Sequence, residues 1–167
     1  MNWEAIAAIS EVVGVIFVIL SLLYVATELR QNTNALRSSV NAAAISSIRD
    51  WNRDLIANAA LTRIFRKGVE DMDALNEDER AQFIMVMQNM MKTFEDMHYK
   101  YRKQIMDPSI WKGWEHLGRL YFTSPGVRQY WSARHQIYSV EFKDWVESLK
   151  SDESVKRMDA LARSPRS

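Results

Sequence analysis

Residues 11–34 read EVVGVIFVILSLLYVATELRQNTN. No charged side chain lies between Val12 and Thr27, and from Ala5 to Thr27 the single charge is Glu11. A helix built from this run is apolar on every face and has no side to give to water. At 1.5 Å per residue its 23 residues rise roughly 35 Å, enough to cross a hydrocarbon core of about 30 Å. The thirteen Val, Ile, Leu and Phe residues in it each favour the bilayer by roughly 0.3 to 0.6 kcal/mol. Together they outweigh one Glu at about 3 kcal/mol, and Glu11 lies near one end, where the penalty falls. The sequence therefore predicts a transmembrane helix.

Two other readings are weaker. A cleaved signal peptide wants a basic segment before the apolar run and a small-x-small site after it. Here no Lys or Arg precedes Arg30, and the run ends in Thr27-Glu28-Leu29-Arg30, which continues as helix. A buried soluble helix needs a protein shell around all its faces, and the rest of the chain barely supplies one. The N-terminal flank Met1-Asn2-Trp3-Glu4 has no Lys or Arg, whereas the other flank has Arg30, Arg37, Arg49 and Arg53. The positive-inside rule then puts the N-terminus outside and the bulk of the chain in the cytoplasm. Trp3 and Tyr24 lie near the two ends of the span, as interfacial aromatics do.

The helix has no obvious stop at the membrane. Apart from Gly14, no Gly or Pro occurs before Gly68. Leu36, Val40, Ala44, Ile48, Trp51 and Leu55 recur at steps of three and four, an amphipathic stripe. One long helix from about residue 3 to about 58 is predicted. A second stripe, Ala7, Gly14, Ser21, Glu28, Ala35 and Ala42, recurs every seven residues and is small at five of six positions. Small residues let transmembrane helices approach closely, and a sevenfold repeat keeps one seam facing a partner. These six residues form the expected homo-oligomer interface.

Downstream, Gly68 reads as the end of a short helix begun near Leu61, with Arg66 and Lys67 in its last turn. Glu70-Asp71-Met72-Asp73 reads as an acidic loop. Asn76-Glu77-Asp78-Glu79 is a capping box, opening a helix to about Met106 with the apolar stripe Phe83, Met87, Met90, Phe94, Met97, Tyr101 and Ile105. Asp107-Pro108 and Ser124-Pro125 each stop one helix and start another. Ser139 is placed to cap a last helix carrying Phe142, Trp145, Val146 and Leu149. No stretch alternates like a strand. The expected class is all-α: a transmembrane anchor over 1–30, an extension of the first helix over 31–60, a cytoplasmic helical bundle over 61–152, and a polar, disordered tail over 153–167.

The chain has 167 residues, 47% of them apolar, with 22 basic and 21 acidic side chains. A balance near zero disfavours a nucleic-acid surface. The lack of Cys removes disulfide frameworks, thiol catalysis, iron–sulfur clusters and the common structural zinc sites. Five Gly and three Pro argue against a turn-rich β fold. Glu95 and His98 form one E-x-x-H, the spacing of di-metal bundles, but such a site needs the motif twice with two further Glu. They are weak metal candidates and read as a helix-surface pair, with Glu95 free to bond another helix. Met85, Met87, Met90, Met91 and Met97 read as core filler rather than a thioether copper site. Trp111, Trp114, Tyr121, Phe122, Tyr130 and Trp131 read as a bundle core of large rings. Neither a phosphate-binding glycine loop nor a nucleophile elbow occurs, so no cofactor and no catalytic residue is assigned.

An ionisable group in a span is by default a functional hypothesis. Glu11 and Glu28 would form two rings in an oligomer, the geometry of a small cation pore. Arg30, Gln31 and Asn32, with Thr33 and Asn34, make a polar collar inside the membrane face, suited to inter-protomer hydrogen bonds or lipid headgroups.

Several stretches occur together: Trp3-Glu4-Ala5-Ile6 with Glu11-Val12-Val13-Gly14; Leu23-Tyr24-Val25-Ala26 running into Leu29-Arg30-Gln31-Asn32-Thr33; Phe94-Glu95-Asp96 with Tyr99 and Tyr101-Arg102; Trp111-Lys112-Gly113-Trp114; and Pro125-Gly126-Val127-Arg128 with Trp131, then Glu141-Phe142. This combination resembles a widespread family of short bacterial proteins of unknown function with one N-terminal transmembrane helix. The Arg-Gln-Asn-Thr collar after the apolar run is its most specific part. The resemblance implies that architecture and a bacterial inner membrane, and carries no chemistry. The expected partners are the lipid bilayer and further copies of the chain. The expected role is a scaffold or interaction module, with a cation-conducting oligomer and a membrane-anchored enzyme or ligand binder as the alternatives.

Overall fold

A computed structural model describes residues 3–150, with the backbone alone for residues 4–10. It is all-α. The helices are α1 (Trp3–Ala57), α2 (Ala59–Glu70), α3 (Glu77–Arg102), α4 (Pro108–Phe122), α5 (Pro125–Arg134) and α6 (Val140–Ser148), with short 3-10 turns at Met72–Ala74 and His135–Ile137. No strand occurs among the described residues.

Compactness divides the chain after Ser39. The first unit is helical backbone whose described side chains are all exposed. The second begins at Val40, well inside the stretch that the sequence suggests is an extension beyond the bundle. The reason is packing: Val40, Ala44 and Leu55 are buried, and Ile48 and Trp51 pack against the same core. Leu36, expected on this stripe, is exposed. The last third of α1 is thus a helix of the bundle.

Local chemistry sets most boundaries. Asn58 ends α1 and caps α2, its side-chain oxygen accepting from the Ala60 and Leu61 N–H groups. Asn76 and Glu79 close the expected capping box. The Asp107 carboxylate accepts from Ser109 N–H, with Pro108 in the first turn of α4. Pro125 likewise opens α5.

Four expectations need correction. Gly68 does not end a helix; α2 runs on to Glu70, and Gly68 is buried against Phe83. The 70–73 segment is not a free acidic loop. Gln129 of α5 accepts from Met72 N–H at 2.7 Å and donates to Asp71 at 3.1 Å and Asp73 at 3.2 Å. The α3 helix stops at Arg102 rather than Met106, because Gln104 turns left-handed (φ 59°) and the Ile105 and Met106 N–H groups fold back onto the Lys100 carbonyl. Ser139 makes no side-chain cap at α6. The expected tail over 153–167 lies outside the described residues.

The bundle core is large rings and thioethers. Phe83, Met87, Met91, Phe94, Phe122, Tyr130 and Phe142 are at most 1% exposed. Met90 and Met97 are buried beside them, while Met85 is 72% exposed. Phe94 meets Trp114 and Phe122 edge-on at 4.8 and 4.7 Å between ring centres. Such edge contacts add to simple burial.

Candidate functional site: the apolar helix and a cleft in the bundle

The first candidate region is α1 itself. Its most apolar 18-residue stretch has a mean hydropathy of 2.4, and none of that stretch is buried. It is long and apolar enough to cross a membrane. Phe17, Leu22, Leu23 and Tyr24 are each 59–66% exposed. Soluble proteins rarely leave such a continuous apolar surface open. Two hydroxyls along it bond to their own helix. The Ser21 hydroxyl donates to the Phe17 carbonyl at 2.8 Å and Thr27 to the Tyr24 carbonyl at 2.7 Å. Neither hydroxyl is left as an unsatisfied donor.

The described side chains of the seven-residue stripe and of the polar collar are on its surface. Gly14, Ser21, Glu28, Ala35 and Ala42 are exposed. A Cβ added at Gly14 would meet nothing within 4 Å, so the chain's own packing does not call for a glycine there. The side chain of Ala7 lies outside the described residues. Glu11 and Glu28 are exposed and 17 positions apart, about 26 Å along a helix axis. Arg30, Gln31 and Asn32 are exposed too, and Thr33 returns its hydroxyl to the Leu29 carbonyl at 2.8 Å.

Glu95 and His98 share a helix but not an environment. The Glu95 carboxylate accepts from the Ser139 N–H at 2.6 Å and from the Lys92 ammonium at 2.8 Å. It thereby satisfies the backbone N–H of the N-cap residue of α6 from another helix, while the Ser139 side chain caps nothing. Burial pushes the Glu95 carboxyl up, and the Lys92 and Ser139 contacts more than reverse this, leaving it below the usual glutamate range. His98 is 6% exposed, so the surface-pair reading fails for it. It stacks on Trp145 at 5.4 Å and lies 5.4 Å from Trp111 and 6.0 Å from Phe142. Burial pushes its imidazole below the ordinary value, Arg102 adds to the shift and Glu141 opposes it. Among the described residues, no three His, Asp or Glu side chains converge as metal ligands would.

The bundle contains a cleft of about 220 Å³. One wall is the 47–54 stretch of α1; the others are α3 and α4. The half-buried Trp51 ring lines it, with the edges of the buried Phe94, Trp114 and Tyr121; Asp50 and Asp54 add two carboxylates, and no Lys, Arg or His lines it. Trp51 meets Tyr121 edge-on at 6.1 Å and Phe65 at 5.3 Å. Its indole N–H is buried without a hydrogen-bond partner among the described residues. Asp50 pairs with Arg53 at 3.1 Å on the open side; Asp54 has no ion-pair or hydrogen-bond partner among the described residues. The i,i+4 spacing of the two Asp was readable in the sequence, but what faces them was not.

Comparisons with protein-family models, with curated proteins and with solved structures find no match to this chain.

Proposed function

We propose that this chain is a single-span protein of a bacterial inner membrane, with its N-terminus outside and its bundle in the cytoplasm, acting as a homo-oligomeric scaffold or interaction module. The observation that carries the reading is the exposed apolar stretch of α1, whose Ser21 and Thr27 hydroxyls return to their own helix. A surface like this is stable against lipid and costly against water. The basic residues after the span support the orientation. Self-association is supported by the small residues spaced by seven, and above all by Gly14, which nothing within the chain requires.

Extraction of isolated membranes at alkaline pH tests the anchor: the protein is expected to stay with the lipid. Release with the peripheral proteins overturns the membrane reading. Native mass spectrometry in a mild detergent tests the assembly. A discrete oligomer that Gly14→Leu breaks apart is expected. A monomer at every concentration, unchanged by Gly14→Leu, overturns self-association and leaves the helix as an anchor alone.

A further inference from the structure

We propose that Arg30, Asn34 and Arg37 form a headgroup site for one anionic phospholipid, held where α1 leaves the bilayer; the inference rests on the membrane reading above. The first support is placement. Arg30, Thr33, Asn34 and Arg37 follow one another at i, i+3, i+4 and i+7 and so share one helix face. With Leu29 they border a single shallow groove, which no carboxylate lines. All of them are exposed. Arg30 comes three positions after Thr27, about 4.5 Å along the axis, and so lies inside a headgroup layer about 5–7 Å deep. Arg37 starts about 10 Å further out. Helix side chains lean toward the N-terminus, which brings Arg37 back toward the same layer.

The second support is donor chemistry. A guanidinium fork matches phosphate oxygens and keeps its charge at every working pH. The Thr33 hydroxyl gives its hydrogen to the Leu29 carbonyl at 2.8 Å, so the donors toward a phosphate are Arg30, Arg37 and the Asn34 amide. Two cations favour a lipid of net negative charge. A phosphocholine brings its own ammonium, which the pair repels. The third support is what adjoins the groove. Ile16, Ile19 and Leu23 continue the same face into the apolar stretch, at steps of three, four and then seven to Arg30. They are 50–59% exposed and offer a wall to an acyl chain, which a soluble phosphate does not use. Glu28 and Ala35 lie roughly 140–160° round the axis from Arg30 at 3.6 residues per turn. The seam proposed for self-association therefore leaves the arginine face to lipid.

The test uses the full chain in a maltoside detergent, with native mass spectrometry counting bound lipids. The probes are phosphatidylglycerol and phosphatidylcholine with the same acyl chains, and inorganic phosphate as competitor. Phosphatidylglycerol is expected to bind at least fivefold more tightly than phosphatidylcholine. Arg30→Gln with Arg37→Gln is expected to cut that preference below twofold. Arg49→Gln with Arg53→Gln makes the same change of charge on the bundle part of α1 and is expected to keep the preference. All four side chains are exposed, so neither variant disturbs the core. Millimolar phosphate is expected to leave the lipid bound; displacement assigns the site to a soluble phosphate and overturns the lipid. Equal binding of the two lipids, or equal loss in both double variants, overturns the proposal. A chain that stays with the membrane at alkaline pH but shows no preference keeps its anchor and loses this site, whereas release at alkaline pH removes both.

Discussion

The backbone of Gly126 lies against the carbonyl oxygen of Gly68, so that a methyl group placed on Gly126 would overlap that oxygen. Here α5 crosses α2 backbone to backbone, and Gln129 one turn further on grips the 71–73 segment. A carbonyl held in a helix cannot turn away as a side-chain end can. Gly126→Ala is therefore expected to cost about 3 kcal/mol or more, the upper end of the range for overpacking. Thermal unfolding followed by circular dichroism checks it. Gly113→Ala, where a Cβ meets nothing within 4 Å, is the control, and Ala there favours the helix by up to about 1 kcal/mol.

Glu95 joins the start of α6 to α3. Glu95→Gln keeps the shape and removes the charge that holds both the Ser139 N–H and Lys92. A loss of about 1–3 kcal/mol is expected. Its carboxyl is lowered in the fold, so the contribution is complete above the unfolded value of about 4.3. It disappears as pH falls through the lower folded value. Urea midpoints from pH 6 down to pH 3 are expected to drop less steeply in the Gln variant than in the parent.

His98 acts on the same acid side, beginning at higher pH. Its folded value lies below the unfolded one of about 6.5. Above that pH both states are neutral and stability is flat. As pH falls below it, the unfolded chain takes up the proton first, so stability declines toward the depressed folded value. His98→Gln is expected to flatten this part of the profile, whatever it does to stability at pH 8. A slope through pH 6.5 unchanged by the substitution would count against the buried neutral imidazole.

Asn76 caps α3 with a reciprocal bond to Glu79. Asn76→Ala is expected to cost about 1 kcal/mol, and Asn76→Asp much less, because Asp accepts the same N–H bond. Denaturant midpoints of the two variants separate a lost cap from a general loss of polarity.

The sequence was most legible where one residue acts on its own neighbours. The unbroken α1, the Asn76 capping box and the two Pro starts depend on contacts a few residues apart. The stripe from Phe83 to Met97 was legible because burial follows helical spacing. Gly68 misled because a glycine reads as a helix end until a second backbone is known to press on it. His98 misled for a related reason: its partner in E-x-x-H drew attention to chemistry. Yet Met91, Phe94 and His98 share one face at steps of three and four, which was the signal for burial. The cleft was illegible because it exists only where α1, α3 and α4 meet.

The place of residues 40–57 in the bundle also sets an order in time. A chain made from its N-terminus releases the apolar stretch first, then the part of α1 that carries Val40, Ala44 and Leu55. The last core residues, Phe142, Val146 and Leu149, come more than eighty positions later. Through that interval the nascent chain holds its sticky segment open while the bundle that follows is still incomplete. Under the membrane reading, a ribosome still at work is the natural moment for delivery to the bilayer, and a chain finished in water would have to be kept from clumping by chaperones.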